Sequence, residues 1–299
     1  ALDPSKFPKE QFDEWNPKRH LYSRYTQSVG TRAERVLSKI NVSQALVSLL
    51  QTQRLNVIIQ DGYAITYASG LAASYAALVY FNPKRVAITA GYHGCHATID
   101  IYKRNRQGNL PIIRIDDDFQ AGDLCWLETP LNPTGEARDI KYYADKVHKA
   151  GGWLLIDATF GPPPLQYPFK WGADIIMHSG TKYFGGHSDL LCGVLVAPTL
   201  EKWKELWHIR TFLGNMMGSL ESWLLLRSLR TLHLRVPRQS ENATGLAQWL
   251  SKAAGGKAHD GIPAGVIEKV WHSSLQGVDA RGFDPATQLE GGHPATFAI

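Results

Sequence analysis

Lys182 stands out among the residues that could do chemistry, because hydroxyl-bearing and small residues surround it. It follows Ser179-Gly-Thr, after an apolar run at 174–177 that predicts a strand, and Gly185 and Gly186 come soon after it. A lysine at a strand end can form an imine with a carbonyl cofactor, and neighbouring hydroxyls can bind that cofactor's phosphate. A surface lysine in a glycine-rich loop would give the same pattern, so this stretch alone leaves both interpretations open.

Asp157 lies upstream of this lysine, at the end of an apolar run at 153–156. Such a run is typical of a buried parallel strand, and the ligands of open α/β sheets bind at the carboxyl ends of the strands. A carboxylate there can pair with a protonated pyridine nitrogen, although an aspartate that closes a strand is also often a helix cap. An acid and a lysine that each end a strand together favour pyridoxal 5′-phosphate (PLP) as the cofactor.

The composition indicates a globular enzyme. The chain has 299 residues, of which 44% are hydrophobic, and its formal charge of +5 is spread along the sequence. This length allows a sizeable core, and we expect one large domain with a smaller addition. No basic run with interleaved aromatic residues favours nucleic acid, and no apolar run approaches the length of a membrane span. Cys95, Cys125 and Cys192 are scattered without metal-ligand spacing, so we expect reduced thiols, no metal site and a cytoplasmic location.

Apolar runs and helical patterns alternate from about residue 60 onward. The predicted strands are 85–89, 112–115, 124–127, 153–156, 174–177 and 190–196, and the predicted helices are 71–80, 140–150, 200–213, 220–234 and 240–254. This alternation predicts an α/β fold with a mostly parallel sheet that helices cover on both faces.

Several motifs resemble the cystathionine γ-synthase/lyase family, the Cys/Met-metabolism branch of fold-type-I PLP-dependent enzymes, including its fungal-type γ-synthase-like members. They follow the family's order and cover nearly the whole chain from residue 20 onward. The matching runs are Tyr22-Ser-Arg24, Ser69-Gly-Leu71, Tyr92-His-Gly94, Glu128-Thr-Pro-Leu-Asn132-Pro133, Asp157-Ala-Thr159, Ser179-Gly-Thr-Lys182 and Leu224-Leu-Leu-Arg-Ser-Leu-Arg230-Thr231. The runs around Lys182 and Asn132 are specific to the family, whereas Ser69-Gly-Leu71 alone would be weak.

The resemblance implies a seven-stranded fold-type-I sheet and three parts of the chain. These are an N-terminal arm at 1–45, a PLP-binding α/β domain at 46–238, and the start of a C-terminal α/β domain at 239–299. Since relatives normally continue past this point, we expect a trimmed chain, with a divergent member as the alternative. The segment between Ile115 and Asp123 is also shorter than in relatives and is expected to lack a helix.

A phosphate site is expected where the helix predicted at 71–80 begins. The free N–H groups and the dipole of a helix N-terminus attract a phosphate, although Ser69 could equally be an ordinary N-cap. By resemblance, Gly70 and Leu71 would bind the phosphate through their N–H groups, and Ser179 and Thr181 would bind it through their hydroxyls.

Tyr22 and Arg24 resemble the family's pair that reaches the phosphate of a neighbouring subunit. A merely solvated arginine is the alternative. The resemblance therefore implies a homodimer or homotetramer whose active sites are shared between subunits.

The ring of the cofactor would lie among residues that end other strands. By resemblance, Tyr92 stacks on the ring and relays protons, Asp157 pairs with the pyridine nitrogen, and Thr159 lies close behind it. Asn132 would lie near the phenolic oxygen and the substrate carboxylate, and Glu128 would support the residues around it. Simple packing or turn formation would also explain these residue types.

The histidines near the motifs do not form a zinc pattern. His93 and His96 have no carboxylate or cysteine arrangement that completes a metal site, and we expect them to line the pocket near Tyr92, where His96 could influence substrate choice. We expect His178 and His187 to be structural, because Lys182 and Tyr92 already provide for proton transfer.

The activity that the resemblance implies is γ-replacement on an O-acyl-L-homoserine-type amino acid. Lys182 would hold PLP as an aldimine, α and β protons would be removed, and a nucleophile would add to a vinylglycine-type intermediate. A cystathionine or methionine lyase, acting by β- or γ-elimination, is the first alternative. A non-catalytic PLP-binding or scaffold subunit is an alternative of another class.

Overall fold

The computed structural model describes residues 62–299. The predicted arm at 1–45, with Tyr22 and Arg24, lies outside the described residues. The prediction of an α/β fold with a mostly parallel seven-stranded sheet is confirmed.

The sheet has the strand order β1-β7-β6-β5-β4-β2-β3. The strands are β1 (Tyr63–Tyr67), β2 (Arg85–Ala87), β3 (Ile112–Ile113), β4 (Asp123–Glu128), β5 (Trp153–Asp157), β6 (Ile175–Ser179) and β7 (Gly193–Ala197). Strands β3, β2, β4, β5 and β6 run parallel, while β7 is antiparallel to both β6 and β1. The carboxyl ends of β4, β5 and β6 therefore lie side by side at one edge of the sheet.

Helices cover both faces of this sheet. They are α1 (Gly70–Phe81), α2 (His93–Asn105), α3 (Ile140–Lys149), α4 (Leu200–Leu213), α5 (Ser219–Leu229), α6 (Leu232–Ser251) and α7 (Pro285–Gln288). One buried cluster joins α1, α2 and α4 to the sheet, and a second joins α3, α5 and α6 to its other face. The two clusters explain why the strands are apolar in continuous runs, since both faces of each strand are buried.

Local capping sets where several helices begin. The side chains of Ser69, Asp139 and Thr199 accept hydrogen bonds from N–H groups in the first turns of α1, α3 and α4. Each cap satisfies one of the N–H groups that a helix start leaves without a partner. The predicted starts of these helices are therefore correct within a residue.

Three elements were absent from the sequence prediction. Strand β1 forms one edge of the sheet, α2 follows directly after Tyr92, and α7 is a short helix of four residues. The buried face of α2 consists of small or weakly apolar residues, namely Gly94, Cys95, Thr98, Ile99 and Tyr102. This helix was not predicted from the sequence because glycine, cysteine and threonine are not strongly apolar, and they therefore give no recognisable apolar periodicity.

The helix predicted at 220–234 is wrong in one respect, because the chain breaks at Arg230 and Thr231 between α5 and α6. The N–H groups of these two residues bond to carbonyls three residues back, which tightens the last turn. Ser228 O also accepts from the guanidinium of Arg235, so a side chain from the next helix stabilises the break.

The remaining expectations concern the parts that flank the sheet. Turns alone connect β3 to β4, as expected for the segment between Ile115 and Asp123. The domain boundary predicted between residues 238 and 239 falls inside helix α6, and it stays a prediction. A small separate cluster, built around Ala247, Ala253 and Ile267, packs the chain that follows α6. Within residues 62–299, no helix is long and apolar enough to cross a membrane.

Candidate active site

Three neighbouring strands end in polar residues at the same edge of the sheet. Glu128 ends β4 and pairs in register with Asp157, which ends β5, and Ser179 ends β6 beside them. This placement follows from the strand order, because parallel neighbours bring their carboxyl ends together.

The carboxylate of Asp157 is fixed on one side. It is only 3% exposed, and its Oδ1 accepts from the N–H and the hydroxyl of Thr159, at 3.0 and 2.6 Å. The Thr159 hydroxyl oxygen in turn accepts from Ser179 N–H at 2.8 Å, which ties β5 to β6. Burial raises the pKa of Asp157, and the hydrogen bonds from Thr159 oppose that rise.

Glu128 binds the backbones of Tyr92 and Asn132, the other two residues predicted to lie near the cofactor ring. Its Oε2 accepts from Tyr92 N–H and its Oε1 accepts from Asn132 N–H, both at 2.7 Å. Burial and the negative charge of Asp157 raise the pKa of Glu128 to about 7, against the opposing effect of these two hydrogen bonds. The prediction that Glu128 supports the residues lining the site therefore has a direct geometric basis.

The start of α1 lies against the end of β6. A Cβ built on Gly70 would stand 3.2 Å from Ser179 Oγ, and one built on Gly193 would overlap the carbonyl oxygen of Ser69. Since the Ser69 hydroxyl caps Ala72 N–H, it is engaged within the helix. In the described part of the chain, the N–H groups of Gly70 and Leu71 have no acceptor, and Gly70 lies beside the Ser179 hydroxyl.

The Lys182 loop, residues 180–186, is a tight turn after β6. Lys182 N–H donates to Ser179 O, and Lys182 O accepts from Gly186 N–H at 2.6 Å. The amine of Lys182 is exposed and forms no hydrogen bond or ion pair with any residue in the range 62–299. The hydroxyl of Thr181 accepts from Cys192 N–H at 3.1 Å and so faces β7, and its role at a phosphate stays a prediction.

A cavity of about 760 Å³ opens beside this loop. Its lining includes Thr181, Lys182, Tyr183 and Glu221, but not Asp157. Lys182 therefore follows the end of β6 and lines a space large enough for a small molecule.

Tyr92 precedes α2 and leaves 39% of its surface exposed. Its ring packs over Gly94, where a Cβ would overlap the ring and would also stand 3.0 Å from Leu71. The ring centroid lies 4.7 Å from that of His93. Tyr92 thus reaches the start of α1 while its backbone is held by Glu128.

His178 and His187 differ in burial, and their structural role stays a prediction. His178 is buried on β6, and burial lowers its pKa to about 3, so it is neutral near pH 7. His187 contacts Gly185 O, and His96 contacts Ala90 O at 2.8 Å. Among the residues that the structure describes, no group of three or more His, Cys, Asp or Glu side chains could hold a metal ion.

Two residues near the site were missed by the sequence analysis. The Cys95 thiol lies 3.9 Å from Asp157 Oδ2, and the guanidinium of Arg235 binds carbonyls of the Lys182 loop. Cys95 was read as one of three scattered thiols, and only the helical spacing of α2 could have placed it on a buried face. Nothing in the sequence around Arg235 indicated its contact.

The donor set fits PLP. The free N–H groups of α1 and the Ser179 hydroxyl suit a dianionic phosphate, and the amine of Lys182 suits an aldehyde. Asp157 has no cationic partner within residues 62–299, so a protonated pyridine nitrogen would supply the missing positive charge. The groups that would bind the phosphate, the aldehyde and the pyridine nitrogen come from the start of α1, from the end of β6 with the loop after it, and from the end of β5.

Comparisons with known proteins give the family to which the chain belongs. A cystathionine gamma-lyase of Bacillus subtilis is 34% identical over 201 residues, covering 64% of this chain and 52% of the relative. A cystathionine gamma-synthase/O-acetylhomoserine (thiol)-lyase of the same organism is 39% identical over 201 residues, covering 63% and 53%. The crystal structure of an apo methionine gamma lyase from Micromonospora echinospora matches with a TM-score of 0.69 at 27% identity, covering 81% of this chain and 64% of that one.

The chain spans about half the length of the curated relatives it matches. The sequence model for Cys/Met metabolism PLP-dependent enzymes matches residues 9–280, which is most of the chain. This chain therefore belongs to the family of Cys/Met metabolism PLP-dependent enzymes.

Proposed function

We propose that the protein catalyses γ-replacement on an O-acyl-L-homoserine-type amino acid, with PLP bound at Lys182. The observation that carries this proposal is the position of the Lys182 amine. It has no hydrogen-bond or ion-pair partner among residues 62–299, and Lys182 follows the end of β6 and lines a cavity of about 760 Å³. A neutral amine in this position can take a proton from one carbon of a substrate and return it to another.

The chain's own residues would divide the work by position. PLP, when bound, withdraws electrons from the α carbon of an amino acid. Asp157 would keep a proton on the pyridine nitrogen, and Gly70, Leu71 and Ser179 would bind the phosphate. Lys182 would move protons between the α and β carbons of the substrate.

The remaining site residues would hold the ring and the substrate. Tyr92 would cover one face of the ring and assist proton transfer, since its side chain is exposed while its backbone is fixed. Asn132 would contact the phenolic oxygen and the substrate carboxylate. Thr159 would orient Asp157, and Thr181 would reach the phosphate if its hydroxyl turned away from Cys192.

We propose a homodimer or homotetramer in the cytoplasm as the working form. Tyr22 and Arg24 would contact the phosphate in a neighbouring subunit, as the family motif implies. Size-exclusion chromatography with light scattering tests the assembly, and a monomer that retains full turnover would contradict the shared site.

Product analysis tests the proposed reaction. The full chain is supplied with PLP, O-acetyl-L-homoserine and cysteine, and mass spectrometry follows the thioether adduct, acetate and 2-oxobutyrate. We expect the adduct and one acetate for each substrate consumed. Formation of 2-oxobutyrate alone, with cysteine and with carbon nucleophiles, would contradict γ-replacement. Lys182→Ala is the matched control and should give neither product.

A lyase is the second candidate, and the name of the 34% identical Bacillus subtilis relative favours it. The same groups can expel the γ substituent without adding a thiol or carbon nucleophile. From O-acetyl-L-homoserine the products would then be acetate, 2-oxobutyrate and ammonia, because water hydrolyses the imine that is released. A non-catalytic PLP-binding subunit would instead develop the cofactor's visible absorption band and consume no substrate in the same assay.

A further inference from the structure

Arg235, in the first turn of α6, binds the backbone of the Lys182 loop. Its Nη1 donates to Tyr183 O at 3.0 Å, and its Nη2 lies 3.5 Å from Phe184 O. These carbonyls belong to the two residues that follow Lys182. The loop closes on itself through Gly186 N–H and Lys182 O, so fixing these carbonyls restricts the backbone from which the lysine side chain projects.

The same guanidinium also holds the break between α5 and α6. Its Nη2 donates to Ser228 O at 3.0 Å and its Nε donates to Thr231 Oγ1 at 3.0 Å. A planar fork with five N–H groups can reach acceptors on two sides at once, whereas a lysine ammonium cannot. Arg235 thus joins the junction between α5 and α6 to the Lys182 loop.

Gly186 makes room for this contact. Its φ is +74°, and a Cβ built there would overlap the guanidinium of Arg235. An alanine would therefore be unfavourable both for the backbone and for the space it needs. Gly186 therefore lies directly against Arg235.

We propose that Arg235 is a positioning residue for Lys182. It acts through the carbonyls of Tyr183 and Phe184 and keeps the amine at the carboxyl end of β6, beside the cavity that Lys182 lines. This inference rests on the proposed function, because it concerns the lysine that would bind PLP. It requires no contact between Arg235 and the cofactor or the substrate.

The test measures how fast the Lys182 amine captures PLP. The full chain without cofactor is mixed with PLP, quenched with borohydride at set times, and digested, and mass spectrometry gives the fraction of Lys182 that carries reduced cofactor. In parallel, 4′-deoxypyridoxine 5′-phosphate, which has no aldehyde, reports binding of the ring and the phosphate. Circular dichroism and thermal unfolding check that each variant is folded.

Arg235→Met should slow the capture by about ten- to hundredfold, because a small misplacement of a reacting group is costly, and it should leave the affinity for the deoxy analogue within about twofold. Arg235→Lys keeps the positive charge but loses the forked N–H donors of the guanidinium. Gly186→Ala places a methyl group where the guanidinium lies. Both variants should therefore also slow the capture of PLP by Lys182. Arg238→Met is the matched control. Arg238 lies one turn further along α6, is exposed and pairs with Glu241, so this variant should behave as wild type.

Capture at the wild-type rate in folded Arg235→Met, Arg235→Lys and Gly186→Ala would overturn the positioning role. An equal loss of analogue affinity would overturn it too, since the whole site would then be disturbed. If the wild-type chain itself captures no PLP at Lys182, the proposed function fails first and this inference fails with it.

Discussion

The two sides of the proposed cofactor site are built in opposite ways. The acid side is buried and saturated, because Asp157 is 3% exposed and Thr159 gives it two hydrogen bonds. On the lysine side, Lys182 itself is exposed on a loop whose backbone is held by Arg235, and its amine makes no hydrogen bond or ion pair with the rest of the described chain.

This difference matches what each group must do. A residue that stabilises a charge acts best when its orientation is fixed in advance, because no reorganisation is then needed during the reaction. A residue that carries protons between two carbons needs a mobile side chain on a backbone that is held in place. The structure provides the first with a network of hydrogen bonds, and it holds the backbone around the second while leaving its amine without a hydrogen bond or ion pair in the described chain.

The strongest test of the contrast is Lys182→Ala. We expect turnover to fall on the order of 10²- to 10⁴-fold, because the proton carrier is lost. The free energy of unfolding of the cofactor-free chain should change by less than about 0.5 kcal/mol, since the amine has no partner among residues 62–299. Product assays and urea unfolding measure the two quantities. Lys170→Ala, which removes an exposed pair with Glu290, is the control and should retain turnover. A large loss of stability in Lys182→Ala would show that the amine is not free.

Asp157→Asn tests the opposite side. Asparagine keeps an oxygen for Thr159 but carries no charge, so turnover should fall by about a hundredfold. The cofactor-free chain should become at least as stable as wild type at pH 7, because a buried carboxylate without a cation is costly. Urea unfolding of the cofactor-free protein is the measurement. If the variant is less stable, a cation outside residues 62–299 must already neutralise Asp157.

The sequence predicted the strand ends well and the contacts between them poorly. Strands β4, β5 and β6 were found because each is a continuous apolar run that a polar residue ends, so Asp157 and Ser179 could be placed at one edge of the sheet. The contact of Cys95 with Asp157 spans 62 residues and that of Arg235 with Tyr183 spans 52. Such contacts depend on how helices pack on the sheet, which local periodicity does not encode.

A smaller effect is expected when the link between β5 and β6 is cut. In Thr159→Val the shape of the side chain is kept, but Asp157 Oδ1 loses a 2.6 Å hydrogen bond and Ser179 N–H loses its acceptor. The cost should be about 1–3 kcal/mol of unfolding free energy, because buried polar groups are left without partners. Thr159→Ser keeps the hydroxyl and is the matched control. Equal stability of the valine and serine variants would show that the hydroxyl link contributes nothing.

The mildest perturbation is a change of pH applied to the cofactor-free chain. The pKa of Glu128 rises from 4.5 to about 7 in the folded protein, so the folded state binds more protons than the unfolded state within that window. The stability contributed by Glu128 is therefore present below pH 4.5 and is lost as the pH rises through about 7. Asp157 adds to this trend, because its pKa is also raised.

Buried histidines act in the opposite direction. Burial lowers the pKa of His178 to about 3 and also lowers the pKa values of His272 and His293, so these groups lose stability as the pH falls below their ordinary value of 6.5. In the wild-type protein, the effects of the acids and of the histidines on the slope of stability against pH therefore partly cancel.

Comparing this slope with that of Glu128→Gln isolates the contribution of Glu128, because glutamine does not titrate and both proteins contain the same histidines. We expect the variant to lose less stability than wild type between pH 4.5 and about 7, as measured by urea unfolding. Parallel slopes would mean that Glu128 stays ionised in the folded chain, and the acid side would then hold two buried negative charges.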